Sequence, residues 1–98
     1  MAESNKATVT IQIGNSDDKL TQKQWAAYVE DVSTAVKETC PDVHFFGGSP
    51  NWTEWQNVAM VVNASKEDLT CLRLKLADIK KLYNQDSIAW TQGVTAFV

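Results

Sequence analysis

The sequence of 98 residues predicts an α+β domain of order βαββαβ, in which a four-stranded antiparallel sheet carries two helices on one face. Three observations predict it. Apolar and polar residues alternate along TVTIQIG, residues 8–14, as they do in a strand covered on one side. Two apolar stripes recur at helical spacing, from Trp25 to Val36 and from Leu69 to Tyr83. Between and after the stripes lie shorter runs with strand character, and a single sheet with both helices on one face buries all the apolar faces at once.

Each element has its own local reason. In the first strand Val9, Ile11 and Ile13 share one face, while Thr8, Thr10 and Gln12 share the other. GNSDDKL is a polar loop, after which Thr21 and Gln24 form the two halves of a capping box and Leu20 and Trp25 the two halves of a hydrophobic staple. Trp25, Tyr28, Val29, Val32 and Val36 make the stripe of the first helix, and Pro41 stops it near Cys40. Residues 43–46 read as a short second strand. GGSPNW reads as a turn that needs positive φ at glycine, and residues 56–63 as the third strand, with Val58, Met60 and Val62 on one face. Ser65 caps the second helix, Asp68 takes the capping-box position, and Leu69, Leu72, Leu76, Ile79 and Tyr83 form its stripe. NQD ends that helix, and SIAWTQGVTAFV reads as the last strand with a bulge or bend at Gly93.

This order is the ferredoxin-like arrangement. Right-handed crossovers place the first strand between the third and fourth and leave the second at an edge. Residues 1–6 are polar and read as a flexible terminus, and residues 7–98 as one domain, since a chain of this length supports a single core.

Composition excludes several classes. With nine Lys and Arg against twelve Asp and Glu, the net charge of −3 offers no broad positive field, so nucleic acid is disfavoured; Lys75, Lys80 and Lys81 read as a solvated helix face. Cys40 and Cys71 are too few for a disulfide scaffold or an all-thiolate zinc site and read as small buried apolar residues. MAESNKAT lacks the apolar core of a signal peptide, and no run approaches the roughly 18 apolar residues of a membrane span, so a cytoplasmic chain is expected. The sequons at Asn51 and Asn63 are then chance matches.

The predicted topology gathers three connections at one end of the sheet: residues 14–20, 47–55 and 84–87. The candidate site is there, with Asn15, Ser16, Asp17, Asp18, Trp52, Glu54, Trp55, Gln56, Asp86 and Ser87 facing a protein partner or a small polar ligand. Trp52, mid-loop among polar residues, is the leading contact residue, whereas Trp55 adjoins a strand and equally reads as a cap on the core. Asp17, Asp18, Glu54 and Asp86 lack the spacing and turn glycine of a calcium loop, so neither metal nor cofactor is expected. His44 is the single histidine; alternation sends it to the uncovered face with Phe46, where it is the one candidate for proton transfer. Gly47-Gly48 lacks the lysine and the following helix of a phosphate loop.

The uncovered face, built from Thr8, Thr10, Gln12, His44, Phe46, Ala59, Val61, Ala89 and Thr91, has neither the stacking aromatics on central strands nor the basic residues of RNA-binding domains of this fold. It suits a second copy or a protein partner, and a homodimer through it is expected. IGNSDDKLTQKQW and QDSIAWTQG together resemble small proteins encoded by bacteriophages and their bacterial hosts. That resemblance implies a binder that inhibits or sequesters a host component, and it carries no functional residue across. The expectation is a non-enzymatic binding module. The alternatives are an assembly subunit, or a cofactor-independent enzyme resembling the dimeric ferredoxin-like monooxygenases, with His44, Trp90 and Tyr28 near a cavity between two sheets.

Overall fold

Alternation in the first strand decides the layering. In the computed structural model, which describes residues 6–15, 20–49 and 56–98, Val9, Ile11 and Ile13 of β1 (Lys6–Gly14) are all buried on one side. The other elements follow as α1 (Gln22–Thr39), β2 (Val43–Gly48), β3 (Asn57–Ser65), α2 (Lys66–Leu82) and β4 (Ala89–Gly93). The strands form one antiparallel sheet in the order β2-β3-β1-β4, as the crossover rule requires.

The core lies between the sheet and the helices. Ile11 and Met60 pair directly across β1 and β3, as do Val9 and Val62, against Trp25, Tyr28, Val32 and Val36 of α1 and Leu69, Leu72 and Leu76 of α2. Each such side chain contributes roughly 1.5–3 kcal/mol by leaving water. Tyr28 is at the centre of an aromatic row, edge-on to Trp25 at 6.1 Å and tilted against Tyr83 at 5.0 Å. The Tyr83 hydroxyl donates to Asp31 Oδ2 at 2.5 Å and ties the end of α2 to α1.

The helix ends are chemically explicit. Thr21 Oγ1 accepts from Gln24 N at 3.2 Å while Gln24 Oε1 accepts from Thr21 N at 2.9 Å, so two N–H groups that the helix leaves orphaned are satisfied reciprocally. Ser65 Oγ accepts from Asp68 N at 3.2 Å. At the other end of α2, Asn84 takes a left-handed φ of 55°, Gln85 N donates to Lys80 O at 2.9 Å and Asn84 N to Lys81 O at 3.2 Å, the Schellman pattern with asparagine in the usual glycine position. Lys80 and Lys81 thereby sit where the helix dipole favours positive charge.

Five expectations are corrected. Strand β2 runs on through Gly48 and carries a bulge: Val43 pairs with Val62 but Phe45 with Val61, so His44 and Phe45 together oppose one residue. The extra residue inverts the alternation, which puts Phe45 on the uncovered face and sends Phe46 to the helix side, where Lys37 Nζ lies 5.8 Å from its ring centroid. Gly47 and Gly48 belong to the strand and neither has positive φ. Gly48 is required by a close approach instead, since a Cβ there would stand 2.0 Å from the backbone oxygen of Asn57, while Gly47 leaves room for the Phe45 ring folded over it. Strand β4 ends at Gly93, beyond which Val94 and Phe97 are exposed and Thr95 Oγ1 is hydrogen-bonded to Thr8 Oγ1. Of the two cysteines only Cys40 is buried, whereas Cys71 faces outward from α2.

Two outcomes follow from this packing. Gly48→Ala should lower the free energy of unfolding in urea by about 1–3 kcal/mol through overpacking, whereas Gly93→Ala, with open space around it, should change it by less than about 0.5 kcal/mol; equal effects would contradict the close approach. Burial pushes the Tyr28 hydroxyl up to about 12, and the hydrogen bond to Asp31, with burial, pushes Tyr83 up to about 12, both from 10.0. Both folded values are raised, so the stability they carry is complete below pH 10.0 and is lost as pH climbs toward about 12. The tyrosinate absorbance of the folded chain should therefore develop around pH 12, and a tyrosine titrating at its ordinary value before unfolding would contradict it.

Candidate functional site

The end of the sheet where β1 finishes and β3 begins brings the predicted connections together. Gly14 pairs with Asn57, and a recess of about 410 Å³ beside them is lined by Gln12, Ile13, Gly14, Asn57, Ala89 and the chain from Gln85 to Ser87. Asp86 and Ser87 are exposed there, as the sequence reading placed them. Ser16, Asp17, Asp18, Trp52, Glu54 and Trp55 lie outside the described residues.

Asn15 and Gln56 are in the same place but face inward, 2% and 3% exposed. Asn15 Oδ1 accepts from Leu20 N at 3.0 Å, and its Nδ2 donates to Leu20 O at 3.0 Å and to Gln56 Oε1 at 3.2 Å. Asn15 N also donates to Gln56 O at 2.9 Å. Gln56 Nε2 donates to Gln22 Oε1 at 2.8 Å, and Gln22 Nε2 returns a bond of 3.3 Å to Gln56 Oε1. One asparagine side chain thus grips both backbone groups of Leu20 and closes the 15–20 connection, and Gln56 ties that closure to the first turn of α1. Both N–H groups of the Asn15 amide are taken up by the protein, so its work is to hold the loops.

A groove that the sequence reading missed runs between α2 and β4, with a volume of about 260 Å³. Leu76, Ala77, Ile88 and Trp90 form its apolar part, Arg73 and Lys80 its basic rim, and Asp86 and Ser87 complete the lining. The Arg73 guanidinium carbon lies 5.2 Å from the Trp90 ring centroid, and Trp90 Nε1 donates to Gln92 Oε1 at 3.1 Å, which fixes the indole. The signal was present in the spacing 73, 76, 77 and 80, which puts these four residues on one face of a helix.

The uncovered face of the sheet is formed by Thr8, Thr10, Gln12, Phe45, Gly47, Ala59, Val61, Asn63, Ala89 and Thr91, with His44 at the bulge. Among the described residues its one fixed charge is Lys6, at the start of β1 on the same side as Thr8. His44 Nε2 is 3.3 Å from Asp42 Oδ1, and the histidine lines a depression of about 210 Å³ with Lys6, Thr8, Asn63 and the 94–97 tail. Tyr28 and Trp90 are on the other side of the sheet: Tyr28 is buried in α1, and Trp90 pairs with Ile11, whose side chain is in the core. Among the described residues no group of three or more His, Cys, Asp and Glu could hold a metal ion, and no helix is long and apolar enough to cross a membrane.

Neither a family model nor a curated protein matches the chain. Among solved structures it is similar to a de novo designed protein, Foldit4, at 17% identity and a TM-score of 0.65, over 93% of this chain and 99% of that one. It is also similar to a dimeric ferredoxin-like protein from an uncultured marine organism (13% identity, TM-score 0.52, 100% of this chain and 96% of that). An uncharacterised protein from Thermotoga maritima matches at 12% identity and a TM-score of 0.51, over 90% and 92% of the two chains. At these identities the likeness is one of fold, and the fold is ferredoxin-like.

Asn15→Ala should cost about 1–3 kcal/mol in urea unfolding, because the backbone groups of buried Leu20 lose their partners. Unchanged stability would show that the loop closes without the clamp.

Proposed function

We propose that the chain is a non-catalytic binding module that pairs the uncovered face of its sheet with a second copy of itself. The observation that carries this reading is the distribution of charge. Both helices are charged on their outer sides, at Lys23, Glu30, Asp31, Lys37 and Glu38 on α1 and at Lys66, Glu67, Asp68, Arg73 and Asp78 on α2. The opposite face of the sheet has among its described residues only Lys6, at the start of β1, and it presents Phe45 at 53% exposure beside half-buried Val61 and Ala59. Beside the outward threonines of β1, the outward positions of β2 and β3 at Phe45, Ala59 and Val61 are apolar, and an apolar patch on an otherwise polar sheet face marks a contact surface.

Strands about 4.8 Å apart and rising about 3.4 Å per residue make a plate of at most roughly 19 by 30 Å, about 570 Å² in projection, at the small end of interfaces whose stable members bury roughly 800 Å² per partner. Two such faces meeting about a twofold axis present the same patch to each other, and Phe45, folded over Gly47, is the aromatic anchor. A dimeric protein of the same fold supports the reading. An enzyme with a cavity between two sheets would keep only His44 on this face, because Tyr28 and Trp90 lie behind it.

Sedimentation equilibrium tests this. The wild type should be dimeric at micromolar concentration and Val61→Glu monomeric with an unchanged circular dichroism spectrum. Leu74→Glu, on the exposed side of α2, should leave the dimer intact. A monomeric wild type, or a Val61→Glu chain that still dimerises, would contradict it.

A further inference from the structure

Strand β4 is an edge of the sheet, and among the described residues nothing blunts it. It contains no proline and no charged residue, and its register with β1 runs without a bulge from Ala89 to Gly93. The opposite edge, β2, is bent by the His44–Phe45 bulge. Natural sheets protect their edges, so a strand whose outer side pairs with no described strand calls for an occupant.

The groove beside β4 specifies the occupant. Arg73 and Lys80 stand two helical turns apart on α2 above an apolar floor of Leu76, Ala77, Ile88 and Trp90, two basic side chains against the one acidic side chain of the lining, Asp86. Among the described residues neither Arg73 nor Lys80 has an ion-pair partner, although the chain as a whole is negative. Arg73 lies over the Trp90 ring, an arrangement that leaves the N–H edge of a guanidinium free for a carboxylate.

We propose that the β4 edge and this groove bind an extended acidic segment of a partner protein, which adds a fifth strand beside β4. Backbone hydrogen bonds to β4 hold the segment, and alternate side chains face α2. A small apolar residue covers Ala77, and acidic residues two positions to either side reach Arg73 and Lys80. Those acidic positions are about 13.6 Å apart along a strand, against about 10.5 Å between residues 73 and 80 of a helix, a difference that the long basic side chains absorb. A second copy of this chain fits the edge poorly. An antiparallel β4–β4 pairing would bring the basic rims of the two α2 helices together on one face of the joined sheet.

The test uses the capped peptide Thr-Glu-Thr-Val-Thr-Glu-Thr and its Lys-for-Glu counterpart. Amide exchange and chemical-shift mapping are read on the wild type, and repeated in Val61→Glu so that the sheet-face dimer plays no part. The acidic peptide should protect amides within Ala89–Gly93, bind more weakly as salt rises, and lose at least about tenfold in affinity in Arg73→Glu and in Lys80→Glu. The proposal is overturned if no binding is seen at millimolar peptide, if the basic peptide binds as well, or if charge reversal has no effect. It is equally overturned if the shifts fall outside β4 and α2, or if β4 amides become protected by raising protein concentration alone.

Discussion

The arrangement depends on one central strand that is apolar on a single side. Strand β1 pairs with both β3 and β4, so the alternation of Val9, Ile11 and Ile13 with Thr8, Thr10 and Gln12 sets the sidedness of the whole sheet. Both helices must cross on the Val–Ile side to bury their stripes, and that leaves the threonine side without cover. Had the outward positions been charged, as they are on the helices, this face would need only water. The functional reading therefore descends from a period of two in seven residues.

The bulge in β2 then decides what the face displays. Without it, Phe46 would be on the uncovered side and Phe45 in the helix layer; with it, Phe45 stands beside Val61 while Phe46 lies at the helix margin against Lys37. Gly47 matters for the same reason. It shares the face with Phe45, and a side chain there would displace the ring, since its Cζ lies 2.8 Å from where a Cβ would be. The inserted residue and the missing side chain together decide which phenylalanine the face presents and how its ring lies.

What was legible in the sequence, and what was not, divides by range. The caps at Thr21 and Ser65, the two helical stripes, the element order and the crossover topology rest on neighbours in sequence or on handedness, and the structure bears them out. Pairing across strands is what local patterns cannot count. The parity of Phe45 and Phe46 depends on which residue of β3 they oppose, and the reason for Gly48 is the backbone oxygen of Asn57 across the ladder. The site divides likewise. Topology correctly brought Asn15, Gln56, Asp86 and Ser87 to one end of the sheet, but the hydrogen bonds that turn Asn15 and Gln56 inward join residues up to 41 positions apart. The groove of Arg73, Lys80 and Trp90 was missed because its two walls come from different elements.

The claim on which the account rests is that the uncovered face of the sheet is buried between two copies. Isotope-filtered nuclear Overhauser spectra of a mixture of labelled and unlabelled protein test it most directly. The account predicts intermolecular contacts from the Phe45 ring to the methyl groups of Val61 and Ala59 and none from the outer sides of the helices. Intermolecular contacts confined to α1 or α2, or none at concentrations where the protein sediments as a dimer, would contradict it.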